Sequence, residues 1–152
     1  MFSISVICVG KLKERFYADA CDEYLKRLSA YANIDVVEVP EASGIHDQLE
    51  RERAYIAKKL EKGAYIIPLC IEGEMLTSDS LADKFNTIAS TGFSKIAFII
   101  GGSVGIHDAI KSQGKLQLSM SRMTFPHHLA RVMLLEQIYR AFQISSGGKY
   151  HK

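Results

Sequence analysis

The sequence has no tryptophan, only three prolines and only three cysteines in 152 residues. Cys8, Cys21 and Cys70 are odd in number and widely spaced, so neither a disulfide framework nor a paired-cysteine metal site can be read from them. They are expected to be reduced thiols of a cytosolic protein, two of them in the core. Long hydrophobic runs are also missing. The longest, Ala64 to Ile71, is interrupted by Pro68 and falls far short of a bilayer span. The start, Met1-Phe2-Ser3-Ile4, lacks the basic region and small-residue cleavage site of a secretory signal. A cytoplasmic location with no membrane partner is therefore expected. H-E-x-x-H, C-x-x-C, G-x-G-x-x-G and the P-loop pattern do not occur, which disfavours metal hydrolysis, ordinary dinucleotide binding and nucleotide hydrolysis. The adjacent pair His127-His128 would diverge by about 100° on a helix and could not share a metal as an i, i+4 pair does. No metal is expected.

What is present suits one soluble domain spanning 1–152, with 47% hydrophobic and 24% charged residues. The net charge of +2 conceals an asymmetry. Residues 1–110 carry twelve Lys/Arg against sixteen Asp/Glu, whereas residues 111–152 carry seven against Glu136 alone. That basic end either faces a polyanion or is an ordinary solvated face, and charge by itself does not choose.

Hydrophobic periodicity predicts alternating elements. Strands are expected at Phe2 to Val9, Asn33 to Val39, Ala64 to Ile71, Lys95 to Ile100 and Leu116 to Leu118. Helices are expected at Glu14 to Ser29, His46 to Lys62, Thr77 to Ser90 and Ile106 to Gln113. A last helix begins with Pro126 at its first position and runs to about Ile144. Leu49, Ile56, Ala57 and Leu60 form the narrow apolar side of the second helix, and Glu72 and Glu74, flanking Gly73, are read as exposed turn residues, the alternative being a carboxylate pair. The order implies an α/β domain with a largely parallel sheet covered on both faces. The last helix is apolar around most of its circumference, from Leu129 through Phe142, and so needs burial on two sides. A second copy of the chain would supply the other side in a two-fold dimer. The alternative is a central core helix in a monomer.

Ligands of parallel α/β sheets bind beyond the carboxyl ends of the strands. The loop Gly101-Gly102-Ser103-Val104-Gly105 is the best single candidate, because glycines let a ligand approach the backbone. It follows the fourth strand, so a cofactor held late in the chain is the reading that remains. At the terminus, Tyr150-His151-Lys152 is either a frayed end or a base-stacking and phosphate-contacting set.

Several segments together resemble one family. Val9-Gly10-Lys11-Leu12-Lys13-Glu14, Phe98 to Gly105, Ser119 to His127, Arg131 through Phe142 and Tyr150-His151-Lys152 are similar, in order and spacing, to the RlmH (YbeA) proteins of the SPOUT methyltransferases. The resemblance covers essentially the whole chain. It implies a C-terminal trefoil knot, with knot and cofactor region at about 95–145 and a tail at 146–152. It further implies a homodimer and S-adenosylmethionine as cofactor, with Leu69, Gly101, Met120, Ser121, Arg122, Met123, Thr124 and Phe125 at cofactor positions. The implied reaction methylates N3 of a pseudouridine in 23S ribosomal RNA. His127 is then a candidate base, or simply a structural residue at a helix start. Arg140, Tyr150, His151 and Lys152 would orient RNA, unless Arg140 merely pairs with Glu136. Lys149 stands where many members carry proline. The competing readings are a catalytically silent RNA-binding dimer of the same fold and a flavodoxin-like nucleotide or flavin module.

Overall fold

The computed structural model describes residues 1–152. Five strands, β1 (Ser3–Val9), β2 (Asn33–Val39), β3 (Tyr65–Met75), β4 (Lys95–Ile100) and β5 (Leu118–Ser119), form a sheet in the order β2-β1-β4-β3-β5. Every pairing is parallel. Five helices connect or follow them: α1 (Arg15–Leu28), α2 (Gln48–Lys59), α3 (Ser78–Ser90), α4 (Asp108–Lys111) and α5 (His127–Ser145).

Alternation along the central strands divides the interior between two faces, because successive side chains point to opposite sides of a sheet. Ile4, Val6 and Cys8 of β1 and Ile96, Phe98 and Ile100 of β4 meet α1, α3 and α5 in a core of 20 buried residues. Ile7, Val9 and Ile99 point the other way, against Ile56 of α2 and Ile110 of α4, in a core of seven. Strands buried on both faces read as continuous apolar runs, as β1 and β4 do. All three cysteines are buried, one more than the sequence suggested, and burial pushes the Cys8 thiol up to about 12.

Four details depart from expectation. β3 extends past Ile71 to Met75, so Glu72, Gly73 and Glu74 are strand and not turn. The reason is Gly73: a Cβ there would lie 2.6 Å from the Gln117 carbonyl, and the bare backbone lets the Glu74 amide donate to that same oxygen at 2.8 Å. The helix expected over 106–113 shrinks to the four residues of α4. Pro126 is the N-cap of α5, with non-helical φ −53° and ψ 137°, and the helix starts one residue later. In α2 the buried partner of Ile56 is Glu52 and not Ala57, which is exposed. Glu52 accepts from the Ala42 amide at 3.0 Å and from Gln48 Nε2 at 2.9 Å, so it ties the 40–47 loop to the helix.

Pro68 explains where the sheet opens. It is the last β3 residue in register with β4, opposite Ile99, and from Leu69 onward β3 pairs with β5 instead. A residue without an N–H cannot donate to a ladder and suits such an exit. Beyond it, β3 and β4 separate at their carboxyl ends.

Candidate active site

The gap is a cleft of about 290 Å³ walled by three loops. Leu69 to Glu72 come from β3, Ile100 to Ser103 and Gly105 from the end of β4 and its loop, and Met120, Ser121, Met123, Thr124 and Phe125 from the segment between β5 and α5. His127 and Ala130, on the first turn of α5, close one side. Its volume lies near the lower end of the roughly 300–1,000 Å³ usual for small-molecule sites. Of the residues assigned to cofactor positions by resemblance, all but Arg122 line this one cleft; Arg122 is exposed.

The loops are held by their own hydrogen bonds. A Cβ on Gly101 would lie 2.6 Å from the Gly105 carbonyl oxygen, so only glycine allows the loop to close on itself there. Ser119, 3% exposed, donates through its hydroxyl to the Ser121 carbonyl at 3.0 Å, and Ser121 Oγ accepts from the Met123 amide at 3.0 Å. The 119–123 turn is thus fixed before any ligand arrives. Glu72 and Lys111, the charged side chains on the wall, are paired at 2.5 Å. The rest of the lining is apolar side chains, glycine backbone and the hydroxyl-bearing residues Ser103, Ser121 and Thr124. Such a lining suits a flat heterocycle carrying a hydroxylated ring.

The His127 ring makes no hydrogen bond within the chain. Burial, and then the neighbouring His128, hold its pKa below the ordinary 6.5, against a weaker opposing pull from Glu41. It is therefore neutral, and able to accept a proton, at pH 7. His128 lies within 3.4 Å of Glu14 through Nδ1, while its Nε2 is buried without a partner.

Arg131, one turn further along α5, belongs to the basic end of the sequence, but it is not surface charge. It is 2% exposed. Its Nη1 donates to Glu38 Oε2 at 2.7 Å and its Nη2 to the Gly10 carbonyl at 3.2 Å. Glu38 Oε2 also accepts from the Leu12 amide at 3.0 Å. Burial works to raise the Glu38 pKa, but Arg131 and the Leu12 amide prevail and hold the carboxyl below the usual range. One buried cation thus locks the ends of β1 and β2 to the start of the helix that carries His127. The available signal was position: Arg131 lies three and four residues before the core residues Leu134 and Leu135, on the inward stripe of α5.

Arg140, Tyr150 and His151 form a separate group. Arg140 Nε donates to Glu136 Oε1 at 2.9 Å, Tyr150 Oη donates to the same oxygen at 3.0 Å, and Arg140 Nη1 is 3.1 Å from His151 Nδ1. The Arg140 guanidinium sits 4.7 Å from the Tyr150 ring centroid. Burial, with hydrogen bonds to Tyr24 and Glu136, pushes the Tyr150 hydroxyl up to about 12. The pairing with Glu136 is therefore real, and the tail residues Tyr150 and His151 are docked, not frayed. Lys152 is exposed. Thirteen residues of α5 separate Arg140 from His127, about 20 Å at 1.5 Å per residue. Within one chain, the tail group and the cleft do not meet.

No three His, Cys, Asp or Glu side chains gather to hold a metal, and no helix is long and apolar enough to cross a membrane.

A parallel α/β sheet that splits at its carboxyl edge to admit a nucleoside-sized ligand, held chiefly by preformed loops, defines a cofactor-binding enzyme class. The sequence profile of a family described as "Predicted SPOUT methyltransferase" matches residues 2–151. Curated relatives named "Ribosomal RNA large subunit methyltransferase H" include one from Bacillus pumilus, 46% identical over 158 residues and covering 99% of both chains. Another, from Desulforamulus reducens, is 42% identical over 160 residues and covers both chains completely. Among solved structures, a probable methylase family protein from Haemophilus influenzae superposes with a TM-score of 0.57 at 13% identity, covering 98% of this chain and 70% of that one. A tRNA methyltransferase from Aquifex aeolicus gives 0.53 at 11% identity, with 91% and 69% coverage; both likenesses concern the fold. The chain belongs to the SPOUT methyltransferase family. It is accordingly a methyltransferase that uses S-adenosylmethionine, and the apolar, hydroxyl-bearing lining of the cleft fits the adenosyl part of that cofactor.

Proposed function

We propose that this chain methylates N3 of a pseudouridine in the 23S ribosomal RNA of the large subunit, acting in the cytoplasm as a homodimer. The observation that carries the reading is the preformed cleft at the split of β3 and β4, with a neutral histidine at its edge. The names of the full-length relatives supply the substrate class. When bound, S-adenosylmethionine supplies an activated methyl group. The protein's own task is then chiefly positioning, since effective alignment of two reactants removes much of the barrier. Leu69, Gly101 and the run from Met120 to Phe125, Arg122 included, hold the cofactor. His127 accepts the proton that N3 must lose.

The whole chain acts as one domain. Its 95–145 region forms a trefoil knot, one of the rare exceptions to the rule against threaded connections. Because Arg140 and the tail lie about 20 Å along α5 from the cleft of their own chain, Arg140, Tyr150, His151 and Lys152 serve RNA at the partner's cleft. The half-buried outer face of α5 is the dimer contact that makes this possible.

Calorimetry with S-adenosylhomocysteine and nucleoside mass spectrometry of ribosomal RNA from a deletion strain test the reading. An unchanged methylpseudouridine peak in that strain would overturn the substrate. Deleting Tyr150 to Lys152 should abolish RNA methylation and leave S-adenosylhomocysteine affinity intact; loss of both would make the tail purely structural. For His127 the sign is set by its lowered pKa. The base form survives to lower pH than a free imidazole, so the acid limb of kcat/KM should fall below pH 6.5 and disappear in His127→Ala. A limb at or above the ordinary imidazole value would assign the proton elsewhere.

A further inference from the structure

A second and larger cleft, of about 840 Å³, adjoins the first. It is bounded by Gly10 to Glu14, by the end of β2 through Glu41, and by Pro126 to His128. His127 lines both clefts. From that shared ring a chain of aromatic rings leads outward. His127 and His128 have centroids 4.3 Å apart, His128 and Tyr17 are 6.4 Å apart, and Tyr17 and Phe16 are 4.4 Å apart. The outermost ring, Phe16, is 66% exposed on the first turn of α1.

The charges around this ladder are unevenly committed. Glu38 is held by Arg131 and the Leu12 amide, Glu14 faces His128, and Glu41 accepts from Ser103 Oγ at 3.4 Å. Lys11 and Lys13, both exposed on the rim, enter no ion pair. Lys11 acts on Glu38 through space but, like Lys13, is not bound to any carboxylate; two exposed cations beside a solvent-facing ring that connects to a cofactor cleft are the elements of single-strand nucleic-acid recognition, where bases stack and phosphates meet lysines.

We propose that Phe16, Tyr17 and the two lysines form a docking track for the unpaired nucleotides that flank the methylated base, entering the active site past His127. The track lies on the same chain as the cleft it feeds, and so complements the tail contributed by the partner. This inference rests on the RNA substrate proposed above. Contacts to flanking nucleotides are made equally in ground and transition states, so their loss raises KM and spares kcat.

Phe16→Ala should raise KM for ribosomal RNA about tenfold, in line with the loss of one base stack, with kcat, S-adenosylhomocysteine affinity and sedimentation unchanged. Phe16→Tyr, which keeps the ring, should restore the parent KM. Replacing Lys11 and Lys13 together by alanine should flatten the log–log salt dependence of RNA binding by about 1.4, since each single-strand phosphate contact contributes about 0.7. A KM unmoved by Phe16→Ala, a parallel loss of cofactor affinity, or dissociation of the oligomer in that variant would overturn the track. Should the parent protein not methylate ribosomal RNA at all, titration with a labelled single-stranded RNA oligonucleotide still decides. Binding that Phe16→Ala weakens would uphold the track while removing the proposed activity, and equal or absent binding would overturn the track itself.

Discussion

Replacing Arg131 with methionine is expected to lower stability by about 3 kcal/mol, because removing one partner of a buried ion pair typically costs roughly 3–5 kcal/mol. Arg131 is 2% exposed, whereas the Glu38 side chain is 33% exposed and can recover some water, which places the loss at the lower end. For a domain of this size that corresponds to a fall of roughly 10 °C in Tm. The Gly10 carbonyl and Glu38 would both lose a donor they receive from the buried guanidinium. A second variant with Glu38→Gln added should lose less than the sum of the two single changes, since the uncompensated carboxylate is then gone. A Tm within about 3 °C of the parent protein for Arg131→Met would mean that the guanidinium does not lock the strand ends to α5.

Gly101→Ala has the larger consequence for the cleft. The added methyl would lie 2.6 Å from the Gly105 carbonyl oxygen and 2.7 Å from its carbon, both backbone atoms that cannot swing aside. Relief requires the 101–105 loop to move, and small-to-large strain of this kind costs roughly 1–3 kcal/mol. If the strain is released by leaving the binding-competent loop, S-adenosylhomocysteine affinity should fall by about ten- to a hundredfold. Gly63→Ala is the control. Unlike Gly101 it sits at positive φ, +83°, so alanine is strained there as well, but a Cβ meets nothing within 4 Å, and the turn before β3 lies at the opposite end of the strands. It should leave affinity unchanged. Calorimetry on the three proteins separates a local effect on the loop from general strain.

Much of this architecture was legible in the residues. The boundaries of β2 and β4 were read to the residue, since Pro40 and the 101–105 glycines punctuate them and their interiors are β-branched or apolar. The parallel sheet followed from alternation of the elements. Where reading failed, non-local backbone contacts decided. The sequence Glu72-Gly73-Glu74 looks like a turn on local chemistry, and becomes strand because a loop 44 residues later brings Gln117 against Gly73. Glu52 and Arg131 are charged residues whose burial depends on partners ten and 93 residues away. Periodicity marks both as facing inward only if one accepts a charge in the core. Pro68 brings no N–H to a ladder, and the structure accommodates it by having β3 change neighbour there. The grouping of Leu69, Gly101 and the 120–125 run around one cleft was reached by resemblance. Composition offered only a glycine loop in a suitable place. Nothing local signalled the ring series from Phe16 to His127, which unites residues more than 110 positions apart.

The separation of Arg140 from His127 along a single rigid rod sets the economy of the proposed dimer. A newly made chain would own two halves of different workstations and no complete one, so it would be inert until it met a sibling. At low abundance, output would then climb with the square of the amount of protein present. A cell could silence such an enzyme simply by letting its level drop below the point at which chains find each other.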